Sequence, residues 1–150
     1  MIVALTGKDS IKINNRILAD FADGENATLA HPNDQAVVKT GKDGNSIYAY
    51  NNTGRQCDLT LRLIRSGADD RYINNLNALF KNDPAAFTLI TGEFIKNVGD
   101  GKGNITQEIY TLSGGVIKRN PDAKEDADGN TEQAVVVWQL VFSNAPRSIG

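Results

Sequence analysis

Cys57-Asp58-Leu59-Thr60-Leu61-Arg62-Leu63-Ile64 alternates without a break, with Leu59, Leu61 and Leu63 at every second position and Asp58, Thr60 and Arg62 between them. Side chains on a strand point to opposite faces in turn, so this octet predicts a strand with an aliphatic face inward and a polar face outward. The same period returns near the C-terminal end, where Ala134, Val136, Trp138, Leu140 and Phe142 share one face. There the opposite face carries Val135, Val137 and Val141 around Gln139. A strand apolar on both faces suits the middle of a sandwich or a contact between subunits.

Outward from the octet, residues 35–40 and 46–51 predict two strands flanking Gly41-Lys42-Asp43-Gly44-Asn45. The Asp-Gly pair is a hairpin signal because the tight turn needs positive φ. Residues 10–18 read as a strand or short hairpin, with Ile11, Ile13 and Ile17 alternating around Asn14-Asn15, and residues 27–31 as a short strand. One helix is expected. Ser66-Gly67-Ala68-Asp69 has the form of a capping box and leads into Tyr72, Ile73, Leu76, Leu79 and Phe80 at helical spacing. Asn82-Asp83-Pro84 stops it. Residues 87–96 and 105–112 follow as strands joined by a glycine-rich turn, and Ser113-Gly114-Gly115 is read as a turn into a further strand over 116–119. Short connections between strands make the sheet antiparallel. The fold class is therefore mainly β: an antiparallel β-barrel or two-sheet sandwich with one α-helix, as a single domain over residues 1–150.

Composition narrows the function. At 40% hydrophobic and 23% charged residues, the chain is globular, not disordered. Its net charge of -2 argues against holding nucleic acid by phosphate neutralisation. One cysteine excludes an internal disulfide, and a single histidine with it excludes Cys/His metal sites. The first seven residues lack the basic and apolar regions of a signal peptide, and no run approaches a membrane span. His31, before Pro32, has no nucleophile or carboxylate motif beside it, and no Gly-x-Ser-x-Gly elbow exists. Cys57 opens a strand and reads as a small buried residue. Gly99-Asp100-Gly101-Lys102-Gly103 precedes a strand, so it is a turn and not a dinucleotide loop. Asp126-Ala127-Asp128-Gly129-Asn130 misplaces the glycine of a calcium loop. Neither an enzyme nor a resident cofactor is expected. Residues 120–132 hold five acids and one base, a local charge of -4, and read as a mobile, solvated acidic loop.

Several segments in order resemble the tail tube proteins of contractile-tailed bacteriophages. Ala36-Val37-Val38-Lys39-Thr40-Gly41-Lys42-Asp43-Gly44-Asn45 resembles that family's strand and hairpin turn. Asn51-Asn52-Thr53-Gly54-Arg55 before the octet is similar to its polar turn ahead of an aliphatic strand. The stretch from Arg65-Ser66-Gly67-Ala68-Asp69-Asp70 to Asn74-Asn75-Leu76 and the closing Val137-Trp138-Gln139-Leu140-Val141-Phe142 continue the likeness. The acidic loop departs from it.

The resemblance implies a structural virion protein, assembled in the host cytoplasm, whose six-membered rings stack into a tube that conducts DNA at ejection. Its partners would be further copies of itself, sheath and baseplate proteins, with DNA passing through and no membrane involved. The tubes of type VI secretion systems and of phage-derived bacteriocins share the fold and remain alternatives. A small-ligand barrel is a further one, though few aromatics are available to line a cavity. Loops can carry subunit contacts, so ring stacking is expected at Lys42, Asp43, Asp126 and Asp128. If the octet belongs to the channel sheet, Asp58, Thr60 and Arg62 face the lumen.

Overall fold

The computed structural model of the chain describes residues 1–150. Eleven strands surround one helix: β1 (Ala4–Leu5), β2 (Ser10–Ile13), β3 (Arg16–Ile17), β4 (Ala27–Ala30), β5 (Ala36–Thr40), β6 (Ser46–Tyr50), β7 (Cys57–Ile64), α1 (Ala68–Asn82), β8 (Ile90–Gly99), β9 (Ile105–Arg119), β10 (Val135–Phe142) and β11 (Arg147–Ile149). Every pairing is antiparallel. Nine strands form one sheet in the order β3-β2-β8-β9-β10-β7-β4, with β1 also on β8 and β11 also on β9.

The octet behaves as its alternation predicts. Leu59, Leu61 and Leu63 are fully buried, and β7 pairs residue for residue with β10, which buries Val136, Trp138, Leu140 and Phe142 beside them. Ile11 and Ile13 of β2, Ile90 of β8, Leu112 and Ile117 of β9 and Ile73 of α1 complete the same cluster. The sheet thus curls over one core.

It does not close into a barrel. β3 and β4 end the strand order without pairing. Across the gap, Ala27 and Leu29 of β4 face Phe94 and Tyr110 over a cleft. The Phe94 and Tyr110 rings meet edge to face at 6.0 Å and pack against the core.

Three local expectations need correction. Residues 113–115 are not a turn; β9 runs unbroken from Ile105 to Arg119. A Cβ on Gly115 would run into the Phe142 ring, so this glycine serves close packing, while Gly114 supplies a positive φ of 66° beside Ser143. Ile17 is exposed, and Leu18 is buried in its place once Asn14 turns the β2–β3 hairpin at φ 54°. The capping box does not form as read. Gly67 is the N-cap without a side-chain bond. Asp70 reaches back to accept from the Ser66 N–H at 2.8 Å and also takes the Trp138 indole N–H at 2.8 Å.

Asp69, freed from capping, turns inward and is 2% exposed. It accepts from Arg16 Nε at 2.9 Å, Ala19 N at 2.6 Å and Asp20 N at 2.8 Å. Arg16 lies over the Tyr72 ring. Burial alone would push the Asp69 carboxyl up, but the Asp20 and Ala19 amides and the Arg16 guanidinium outweigh it and hold it below the usual carboxylate range.

Candidate functional site

β5 and β6 leave the main sheet. They form a two-stranded sheet of their own, an arm whose ten strand residues are all exposed. Their sequence explains why. Val37-Val38 and Ile47-Tyr48 put apolar residues on both faces, so neither face is a core face. Ala36 and Val38 share one face with Tyr48 and Tyr50, while Val37 and Lys39 share the other with Ile47 and Ala49. Val38 is 53% exposed, Ile47 70% and Tyr48 77%. An isolated two-stranded ribbon is marginal in water, and this one has nothing of its own chain to lie on. Its root is firm: Asn51 N donates to Gln35 O at 2.8 Å, and Asn51 caps the turn at Asn52–Arg55 through Thr53. Lys42 and Asp43 stand in solvent at the tip.

The acidic loop is held against the fold by hydrogen bonds from three side chains. Arg62 grips Glu132 with two hydrogen bonds, 3.0 and 2.9 Å, and reaches Asp23 at 3.3 Å. Arg65 donates to the carbonyls of Asp122, Gln133 and Val135. Asn77, buried on α1, donates to Asn120 at 3.1 Å. Within the loop, Asp126 Oδ1 accepts from the Asp128 amide, and Gln133 accepts from the Asp126 amide. Hydrogen bonds from Arg62 hold the Glu132 carboxyl below the usual glutamate range. The remaining acids Asp122, Glu125 and Asp128 are exposed, and Asp126 is half-buried.

The residues expected in stacking therefore occupy two separate places. The arm springs from the Cys57 end of β7, and Arg62 and Arg65 clamp the acidic loop at its Ile64 end. Along an eight-residue strand these ends lie roughly 25 Å apart.

Asp58, Thr60 and Arg62 do share the outward face of β7, and each is half-buried there. Their neighbours are Val141, Gln139 and Val137 of β10, with Ala30 and Thr28 of β4 beside Asp58 and Thr60. Asp58 pairs with Lys118 at 2.9 Å while its other carboxylate oxygen is buried without a partner, and Arg62 is committed to the loop. Ile64 (47% exposed) and Val137 (36%) leave an apolar stripe on the same face.

Cys57 is buried, which pushes its thiol up to about 11, and His31 is an exposed loop residue. No group of three or more His, Cys, Asp or Glu is placed to hold a metal ion. No helix is long and apolar enough to cross a membrane.

Two short strands were missed because two or three residues carry no readable period. β1 pairs with the far end of β8, and β11 pairs with β9. Their outer edges are unpaired. On β11, Gly150 and Gln107 exchange both backbone bonds, and Thr111 N donates to Pro146 O. Antiparallel alternation then turns the N–H groups of Arg147 and Ile149 away from β9, toward solvent. Arg147 Nε clips to Glu108 at 2.7 Å and so fixes this edge in place.

Compared with known proteins, the chain matches no family model and no curated protein.

Proposed function

We propose that the chain is a structural subunit that assembles with copies of itself into rings and tubes, in the manner of the phage tail tube proteins its sequence resembles. The observation that carries this reading is the arm. Ten exposed strand residues with apolar side chains on both faces are a liability for a monomer, and a neighbouring subunit would cover them. The open edges of β1, β4 and β11 support it, because ring closure satisfies edges that otherwise invite uncontrolled pairing. In such a tube, Lys42 and Asp43 at the arm tip and Asp126 and Asp128 on the acidic loop would meet other rings. Asp58, Thr60 and Arg62 would face the lumen. Their charges are largely neutralised by Lys118 and Glu132, which suits a wall that DNA slides past without being held.

The test removes the arm. Asn51 N already bonds Gln35 O, so residues 36–50 can be replaced by an Asn-Gly turn without opening the root. None of the removed residues belongs to the core cluster. Thermal unfolding should stay within a few degrees of the full chain. Sedimentation and negative-stain microscopy should show rings or tubes for the full chain and neither for the shortened one. A full chain that stays monomeric from micromolar to millimolar concentration, with or without an initiating complex, would sink the proposal.

A further inference from the structure

Two uncovered apolar features sit at opposite ends of β8. At its Gly99 end, β1 brings in the first residues of the chain, where Ile2 is 63% exposed, Val3 55% and Leu5 77%. At its Ile90 end, a groove of about 480 Å3 opens between the second half of α1 and residues 86–88. Leu76, Leu79, Ala86 and Phe87 line it, with Asn14 and Asp83 at its margins. Phe80 packs edge to face on Phe87 behind the groove. Leu79 is 61% exposed, and Leu89 beside the groove 54%. The nine residue steps of β8 separate tail from groove by about 30 Å. Ile2 and Val3 extend at most about 10 Å from β1, so they do not reach the groove of their own copy.

The charges of the two ends are opposite. Asn120, where β9 gives way to the acidic loop, is bonded to Asn77 of α1, so the acidic segment starts at the groove end, with Asp83 on the groove itself; Glu132 is taken up by Arg62, while Asp122, Glu125 and Asp128 are exposed and in no ion pair. At the tail end, Lys8 and Lys102 are exposed and in no ion pair, while Asp9 is paired with Lys96 and Asp100 accepts hydrogen bonds within its own turn. Acidic end meeting basic end is the complementarity that orients an encounter and penalises the reversed one.

We propose that the apolar tail Ile2, Val3 and Leu5 of one copy seats in the Leu76–Leu79–Phe87 groove of a second copy, joining copies head to tail. This rests on the self-assembling reading and names one of its contacts. Such a contact is heterologous: it leaves a free tail at one end and a free groove at the other, and therefore propagates as a file of subunits along the β8 direction.

The test uses chains carrying Val3→Cys or Leu79→Cys, since native Cys57 is fully buried and does not compete. Assembled from an equal mixture and mildly oxidised, the two should give a cross-linked pair at least tenfold above either variant alone. A chain carrying both changes should give a ladder of multimers. Separately, Leu79→Glu should raise the concentration needed for assembly at least tenfold without lowering the unfolding temperature, because this side chain is already exposed. Assemblies that form without the mixed cross-link, or that form normally with Leu79→Glu, overturn the groove and leave self-assembly standing. A doubly substituted chain that closes into a two-membered species instead of a ladder overturns the head-to-tail order. A native chain that never assembles overturns both readings at once.

Discussion

Asp69 shows how one side chain ties three pieces of chain together. Its carboxylate collects the backbone of residues 19 and 20 and the Arg16 guanidinium, and so fastens β3 and the segment after it to the start of α1. Asp69→Asn keeps the shape but turns an amide group toward donors. Losing charge-assisted bonds at a buried site should cost about 2–3 kcal/mol, read as a lower urea midpoint at unchanged slope. The pH dependence follows from the lowered carboxyl. Between its folded value and the ordinary value of about 3.9, the unfolded chain binds a proton that the folded chain does not, so stability rises with pH there. The contribution is complete above that ordinary value and disappears as pH falls through the folded one. The native protein should therefore lose stability more steeply on acidification than the Asn variant. Parallel curves for the two would mean that Asp69 does not carry this term. Its sequence context pointed to a helix cap. That reading missed by one residue: Gly67 and not Ser66 is the N-cap, so the third helical position falls on Asp70, which does the reaching back, and Asp69 is left to turn inward.

At the scale of elements, what could be read depended on whether one face meets the core. The octet was legible to the residue because β7 lies between β10 and β4 with one side dry. The buried face of β10 was legible for the same reason, and the helix stop at Asn82 and the Asp-Gly hairpin from local breaker and turn chemistry alone. The arm was legible as two strands but not as a projection, since pairing is local and placement is not. Gly114-Gly115 misled because a glycine wanted for close approach to Phe142 looks like a glycine wanted for a turn. The anchors of the acidic loop were not legible because Arg62 and Arg65 lie about 70 residues earlier. The loop's order is testable. In the native chain at neutral pH, backbone order parameters across residues 122–133 should match the strands, near 0.85, and Arg62→Ala should drop them below about 0.6. Acid should imitate that variant. Glu132 is held ionised by Arg62, so the clasp is present above the usual glutamate range and released as pH falls through the lowered value. A loop equally rigid in Arg62→Ala would assign its order to the Arg65 carbonyl contacts alone.

For the whole molecule, the decisive question is how an open sheet of nine strands stays free of disordered aggregation. Its edges are short: β1 has two residues, β3 two, β11 three and β4 four. Short edges limit pairing to partners held in register by something else, which the arm and the polarised ends of β8 supply in the proposed assembly. The β11 edge allows this to be examined one hydrogen bond at a time. The Ile149 N–H points away from β9, so proline at that position removes an outward donor while sparing the two backbone bonds between Gly150 and Gln107. Ile149→Pro should fold with a near-native unfolding temperature, because Ile149 is 60% exposed and outside the core. If subunits join laterally through this edge, ring formation should fail, while mixed cross-links between Val3→Cys and Leu79→Cys chains, which report the axial contact, should persist in linear files. Normal rings from Ile149→Pro would show that lateral closure runs through β4 or β1 instead, and the corresponding outward donors on β4, the Ala27 and Leu29 N–H groups by the same alternation from the Asn26–Arg62 bond, would be the next to remove.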